Sequence, residues 1–308
     1  MKNISRRDFL IASCTAVGIA TLENLYARKM QSSRMHERFI PSSNEKIPVV
    51  GLGTWQQFDE AEDSLAAKQL SEVLKNVLEK GGRVIDSSPM YGRSESLIGA
   101  LTQAGGRADA YFYATKVWTR GRQEGIQQME ESMRKMRRTT MDLMQVHNLV
   151  DVETHLETLK IWKEEKKIRY RGVTHYSSSA HTDLEQLIHR HRLDFLQFNF
   201  NLADRNAEKR LLPAAADKGV AVIINEPFAS GTLFRKVRGK ELPEWAKEWD
   251  IQSWAQFFLK YILSHPAVTC AIPGTSNPKH ALDNMGAGYG VYPDSNGRKK
   301  MAAFFDSL

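Results

Sequence analysis

Four side chains in this 308-residue chain could handle a proton together: Asp86, Tyr91, Lys116 and His147. Asp86 and Tyr91 lie in "VIDSSPMYGRSE" (84–95), Lys116 closes "ATK" and His147 closes "QVH". Taken singly, each reads as turn punctuation or a structural polar residue at the end of an apolar run. As a set they suit proton delivery to a carbonyl oxygen during its reduction. A phenol with a pKa of roughly 10 needs a nearby cation to become a usable acid, and Lys116 can supply one. A lysine in a dry pocket needs a carboxylate to stay charged, which gives Asp86 a task. A neutral His147 can donate a hydrogen bond to the substrate oxygen. The set does not suit hydrolysis, because no serine or cysteine is placed with a base, and it offers no metal-ligand spacing.

The elements that must position these groups follow from hydrophobic periodicity. Eight short runs predict strands: 49–53, 83–86, 111–116, 142–147, 168–174, 195–199, 220–225 and 268–273. Helix-period segments alternate with them. Leu70, Val73, Leu74, Val77 and Leu78 share one face, as do Trp254, Phe257, Phe258, Tyr261 and Ile262. Gly81 and Gly82 suit a left-handed helix C-cap. Strand-helix alternation through mostly short loops implies parallel pairing, and eight such units predict an α/β (β/α)8 TIM barrel over 48–308. A doubly wound open sheet is the competing fold, but "GLGTWQ" lacks its glycine fingerprint. In a barrel, catalytic groups stand at the C-terminal ends of strands, where all four residues fall. The long connection 226–245 then sits over the pocket.

In this order, "GLGTW", "VIDSSPMYGRSE", "ATK", "QVHN", "IRYRGVTHYS", "LQFNFN" and "AIPGTSNPKHALDN" resemble the aldo-keto reductase family across about 40–284. The resemblance implies a barrel that binds NADP(H) without a Rossmann fold and reduces the carbonyl of a small aldehyde, ketone or sugar. It makes Tyr91 the general acid/base, with Lys116 and Asp86 tuning it and His147 positioning the carbonyl. For the cofactor it implies Gly53, Thr54 and Trp55 beneath it, and Gln197 on its carboxamide with the strand end before it. That strand end is Thr174 and His175 here, where the family commonly has Ser-Asn. Asn225, Glu226, Pro227 and Phe228 replace the usual Tyr-Ser-Pro-Leu, so the stacking aromatic is missing and Phe228 or Trp55 must serve. Ala229, Ser230 and Gly231 can wrap the pyrophosphate with backbone amides. Asn277 as N-cap and Pro278 after it leave a positive helix end for a phosphate, aided by Thr275. Gly274 and His280 stand where a lysine and an arginine commonly clamp the 2′-phosphate, which keeps NAD(H) open. Asp283 and Asn284 match the adenine-edge pair. The departures also keep open a second function, a nicotinamide-binding sensor or accessory protein with little or no turnover.

At 42% hydrophobic and 26% charged residues, the composition is that of a soluble globular protein. Of the net charge of +7, much is N-terminal: residues 1–35 hold six basic residues against Asp8 and Glu23. Nucleic acid is therefore not expected as a partner, and "RKMRR" (134–138) reads as a solvated helix end. "SRRDFL" followed by a weakly apolar stretch resembles a twin-arginine export signal over 1–27. That implies the twin-arginine export machinery as a partner and a periplasmic or exported destination, as a monomer with no permanent membrane anchor. "IASC" gives Cys14 a competing lipoprotein reading, with a short apolar segment before it. Residues 28–47 read as a linker and lead-in, and Cys270 as a small buried hydrophobe.

Overall fold

The computed structural model of the protein describes residues 34–308. Residues 1–27, expected as an export signal, and Cys14 among them lie outside the described residues. The eight expected strands form one parallel sheet in sequential order: β3 (Leu52–Gly53), β4 (Val84–Asp86), β5 (Phe112–Val117), β6 (Met141–His147), β7 (Ile168–His175), β8 (Phe195–Asn199), β9 (Ala221–Asn225) and β10 (Cys270–Ala271). Parallel bridges at Val50–Ala271 and Gly53–Gly274 join the two ends of the sheet and close the barrel. At Gly53 a Cβ would lie 2.8 Å from the Ile272 carbonyl oxygen, so the join itself requires glycine.

Residues expected as a linker contribute structure. Before the barrel, β1 (Glu37–Phe39) and β2 (Lys46–Pro48) pair antiparallel. Their Ile40 and Ile47 are buried in one cluster with Val84, Phe112, Leu143, Phe195, Ile223 and Cys270, so the hairpin plugs the N-terminal end of the barrel. Cys270 is the buried small hydrophobe expected, its thiol pKa pushed up by burial.

Strand alternation then sets the site. Inward positions change character toward the C-terminal ends: Val84 is followed by Asp86, Phe112 and Ala114 by Lys116, Leu143 by Gln145 and His147, and Phe195 by Gln197. An apolar floor therefore carries a polar upper layer. Register aligns that layer across strands, with Lys116 opposite Gln145, His147 opposite Thr174, and Thr174 opposite Gln197.

The surrounding helices are α1 (Leu65–Glu79), α2 (Ser94–Ala104), α3 (Arg122–Lys135), α4 (Val152–Glu164), α5 (His181–Arg190), α6 (Leu211–Asp217), α7 (Thr232–Lys236), α8 (Trp254–Leu263), α9 (Pro278–Gly286) and α10 (Ser295–Ser307). In α1 the Ser64 side chain caps the Ala67 amide, and Leu70, Val73, Leu74 and Val77 face the barrel. The helix stops at Gly81, with φ of 80° and with the Gly82 amide returning to the Val77 carbonyl, as its glycines predict. In α8 every residue from Ala255 to Leu263 is buried, on both faces. Its Lys260 ammonium donates to the carbonyls of Trp249, Tyr289 and Val291, and burial lowers its pKa to about 8. "RKMRR" begins in the last turn of α3 and runs past its end: Arg134, paired with Glu131, and Arg137 are exposed, while Met136 is buried in the core.

Candidate active site

The turn after β4 is built by its small polar residues. The Tyr91 amide closes on the Ser88 carbonyl, and Gly92 takes a φ of 60° that a side chain would strain. Asp59, from the loop after β3, accepts from the Arg93 amide at 2.9 Å and pairs with its guanidinium, holding the turn from outside. Inside, Ser87 donates to Ser94, Ser94 to Thr54, and Thr54 to the Asp86 carbonyl.

Asp86 is the hub of the polar layer. One carboxylate oxygen takes the Lys116 ammonium at 2.6 Å, and the other accepts from Gln197 at 2.8 Å and Gln145 at 3.2 Å. Lys116 also donates to the Ser87 carbonyl at 2.6 Å. Burial alone would strip this ammonium of its proton. The Asp86 carboxylate and the Tyr91 phenol outweigh that effect and raise its pKa. The Lys116 Nζ lies 5.0 Å from the centroid of the Tyr91 ring. Phenol and ammonium thus meet as expected, but the direction of the phenol's pKa does not follow the expectation. Burial is the larger effect on Tyr91, Asp86 and Glu226 add to it, and the pull of Lys116 does not overcome them, so the pKa is raised. The Tyr91 hydroxyl therefore keeps its proton at neutral pH.

His147 completes the group, edge-on to Tyr91 with ring centroids 6.0 Å apart. Its Nδ1 is 3.1 Å from the Ser88 hydroxyl. Burial, helped by Lys116, lowers its pKa to about 3, so the imidazole is neutral. When Ser88 is the donor, Nε2 carries the ring proton toward the pocket. Trp118, 6.4 Å from His147 between centroids, adds an exposed apolar wall. Ser88, Gln145 and Trp118 are site residues that the sequence did not single out. The signal available was their place within two residues of a strand end.

The expected cofactor residues divide into two sets. Gly53 lies at the barrel's closing bridge, Thr54 is buried beside Asp86 and Trp55 is exposed next to it. Thr174 donates to Gln197 at 2.9 Å, and Asn225 donates to Gln197 and to the His175 carbonyl, at 3.4 Å each. His175 spends its Nδ1 on the Ser177 amide and stacks on Tyr176. Gln197 therefore uses both ends of its amide inside the protein, where a direct carboxamide contact was expected. Phe228 packs against Phe234 and Phe258 in a cluster outside the strand ends, which argues against it as a stacking platform. Trp55 is the more exposed of the two aromatics.

The loop after β9 is left-handed, with φ of 48° at Ala229, 51° at Ser230 and 80° at Gly231, but it does not offer the expected wrap of backbone amides: those of Ala229 and Gly231 donate to the Glu226 and Phe228 carbonyls. The Ser230 amide and hydroxyl go to one Glu226 carboxylate oxygen at 2.8 Å each. After β10, Asn277 caps α9 with Pro278 at its start, as expected, and Thr275 accepts from the Asn277 amide. His280 is exposed. Asp283 departs from the adenine-edge expectation: one oxygen accepts from Ser253 and Gln256, tying α9 to α8. Asn284 is buried at the same helix.

Known proteins resemble the chain in sequence and in fold. It is 28% identical to the methylglyoxal reductase YeaE of Escherichia coli over 260 residues, which is 81% of this chain and 89% of that protein. It is 27% identical to the aldo-keto reductase YhdN of Bacillus subtilis over 203 residues, spanning 61% of this chain and 60% of that protein. In fold it matches an aldo/keto reductase from Klebsiella pneumoniae solved with NADP and acetate, with a TM-score of 0.74 at 23% identity over 88% of this chain and 95% of that one. The sequence model of the aldo/keto reductase family matches residues 49–296, which contain all four groups of the proton-handling set, and the chain belongs to that family.

Proposed function

We propose that this protein is an NADP(H)-dependent reductase of small carbonyl compounds, an aldehyde, ketone or sugar. The observation that carries the reading is the contiguous set of Asp86, Lys116, Tyr91 and His147 on the upper rim of the barrel. Relatives support the two halves of the statement: one similar protein is named a methylglyoxal reductase, and one similar structure holds NADP.

The residues present fit a dinucleotide. Asn225 carries a buried acceptor without a partner among the described residues, and the start of α9 offers a positive helix end. Trp55, Thr174, Asn225, Thr275 and the start of α9 are the groups placed to hold it. When bound, the nicotinamide ring supplies the hydride to the carbonyl carbon. The chain's own residues manage the oxygen. His147 donates a hydrogen bond to it and fixes its direction, and Tyr91 delivers its phenolic proton as negative charge builds there. Lys116, held charged by Asp86, stabilises the phenolate left behind.

The test is a hydride-transfer assay with an aldehyde panel including methylglyoxal, on the wild type and on Tyr91→Phe, followed at the reduced nicotinamide absorbance. Turnover by the wild type that collapses in the variant is the expected result. The Glu226 carboxylate on the Ser230 amide favours a second reading, a dinucleotide sensor with little turnover. Tight binding without reduction of any aldehyde would select it. Titration with both dinucleotides decides between NADP(H) and NAD(H). We extend the reading to a monomer exported through the twin-arginine route, on the strength of "SRRDFL". Cell fractionation should find Arg6→Lys/Arg7→Lys retained inside.

A further inference from the structure

We propose that Asn225 orients the nicotinamide ring, its side-chain oxygen accepting a hydrogen bond from the NH2 of the carboxamide. This rests on the dinucleotide reading above and adds a contact that the resemblance does not supply, since an aromatic usually stands at this position.

The inference follows a chain of amide orientations. The Asp86 carboxylate pairs with the Lys116 ammonium at 2.6 Å, and a carboxylate accepts but cannot donate. It therefore takes the nitrogen end of Gln197, at 2.8 Å. That turns the Gln197 oxygen toward Thr174 and Asn225, which donate to it at 2.9 and 3.4 Å. A second nitrogen proton of Gln197 goes to the Gln145 oxygen at 3.4 Å. Two donors and two acceptor positions exhaust a glutamine amide. Gln197 has nothing left for a ligand.

Asn225 comes next in the relay. Its nitrogen faces two acceptors, the Gln197 oxygen and the His175 carbonyl, each at 3.4 Å. A flipped amide would set oxygen against oxygen at both, so the nitrogen end is fixed inward. The Oδ1 is thereby turned away from these partners. It is buried and has no hydrogen-bond partner among the described residues. An acceptor left buried and unpaired is costly unless a donor arrives. Asn225 is the last residue of β9, opposite Asn199 and beside the strand ends that carry Thr174 and Gln197. A carboxamide NH2 is the donor on a nicotinamide ring. Asp86 thus acts at two distances: directly on Lys116, and through Gln197 and Asn225 on the face that would receive the ring.

Fluorescence titration of binding tests this without turnover. The wild type is titrated with NADP+, its thionicotinamide analogue, which keeps the NH2, and its 3-acetylpyridine analogue, which replaces it with a methyl. The first two should bind alike, and the third about tenfold more weakly. In Asn225→Leu that gap should close, with weaker binding of NADP+. A wild type that does not discriminate, or a gap that persists in the variant, overturns the proposal. A ribose hydroxyl satisfying Oδ1 instead would give one of those results, because all three ligands keep the ribose. The wild-type comparison needs no folded variant. Failure of the wild type to bind any of the three would overturn the dinucleotide reading as well.

Discussion

The two halves of the upper rim are built differently. On the β4–β6 side, Asp86, Lys116, Gln145 and His147 stand within regular strands, each orientation set by the two-residue alternation; Asp86 bonds to both Lys116 and Gln145, and His147 to Ser88. On the β9–β10 side, the groups expected to hold a cofactor lie mostly in loops, and two are spent on the protein itself: Ser230 on Glu226 and Asp283 on α8. Chemistry on one side is preorganised by register. On the other, the Ser230 amide already holds a carboxylate.

Substitutions can break this contrast. Tyr91→Phe removes the proton donor without disturbing the ion pair beneath it, and should lower kcat by roughly 10²–10⁴-fold with little change in the melting temperature. Unchanged turnover would remove the preorganised side from the mechanism. Lys116→Met should cost about 3–5 kcal/mol of stability, because it leaves the Asp86 carboxylate buried and unpaired. Asp86→Asn/Lys116→Met should recover much of that in denaturant melts while staying inactive. A double variant as unstable as the single one would mean that the pair is not the source of the cost.

His147 sharpens the comparison through pH. Its pKa is about 3 folded against 6.5 for the free side chain, so between these values the unfolded chain binds a proton that the native site refuses. Stability from this group is whole above pH 6.5 and lost as pH falls, by about 2 kcal/mol at pH 5. Denaturant titration at pH 7 and pH 5 should show the difference shrinking in His147→Gln. The smallest effect belongs to the loop side. Glu226→Gln removes a negative charge from the Ser230 amide and should tighten dinucleotide binding by a few-fold at low salt, less at high salt. Weaker binding would mean that Glu226 holds the loop in shape and does not compete for that amide.

The sequence made the strand side legible because alternation and strand ends fix where a side chain points, and Asp86, Lys116 and His147 needed no other information. It did not reveal the pKa direction of Tyr91, which depends on how deeply the turn carries the phenol into the protein. Residue types suggested free amides at 229–231, but the turn spends them on Glu226 and Phe228: a positive φ at Glu226, Ala229 and Ser230 is a tertiary outcome that such residues do not advertise. The hairpin at 37–48 escaped notice because three-residue strands carry too little alternation to register. Lys260 was hidden for a related reason. A lysine on an amphipathic helix predicts solvent, whereas its three carbonyl partners come from two other segments of the chain.

The barrel's closing bridge has a mechanical meaning. Where β6 and β7 run together over seven and eight residues, β3 and β10 have two each and meet through isolated bridges. The cylinder is therefore a rolled sheet with a short clasp. Gly53 and Gly274 form its upper catch, between the residues that precede Trp55 and those that precede Thr275. A molecule gripping both loops would press the clasp shut, so occupancy of the pocket and integrity of the cylinder would be measured on the same scale.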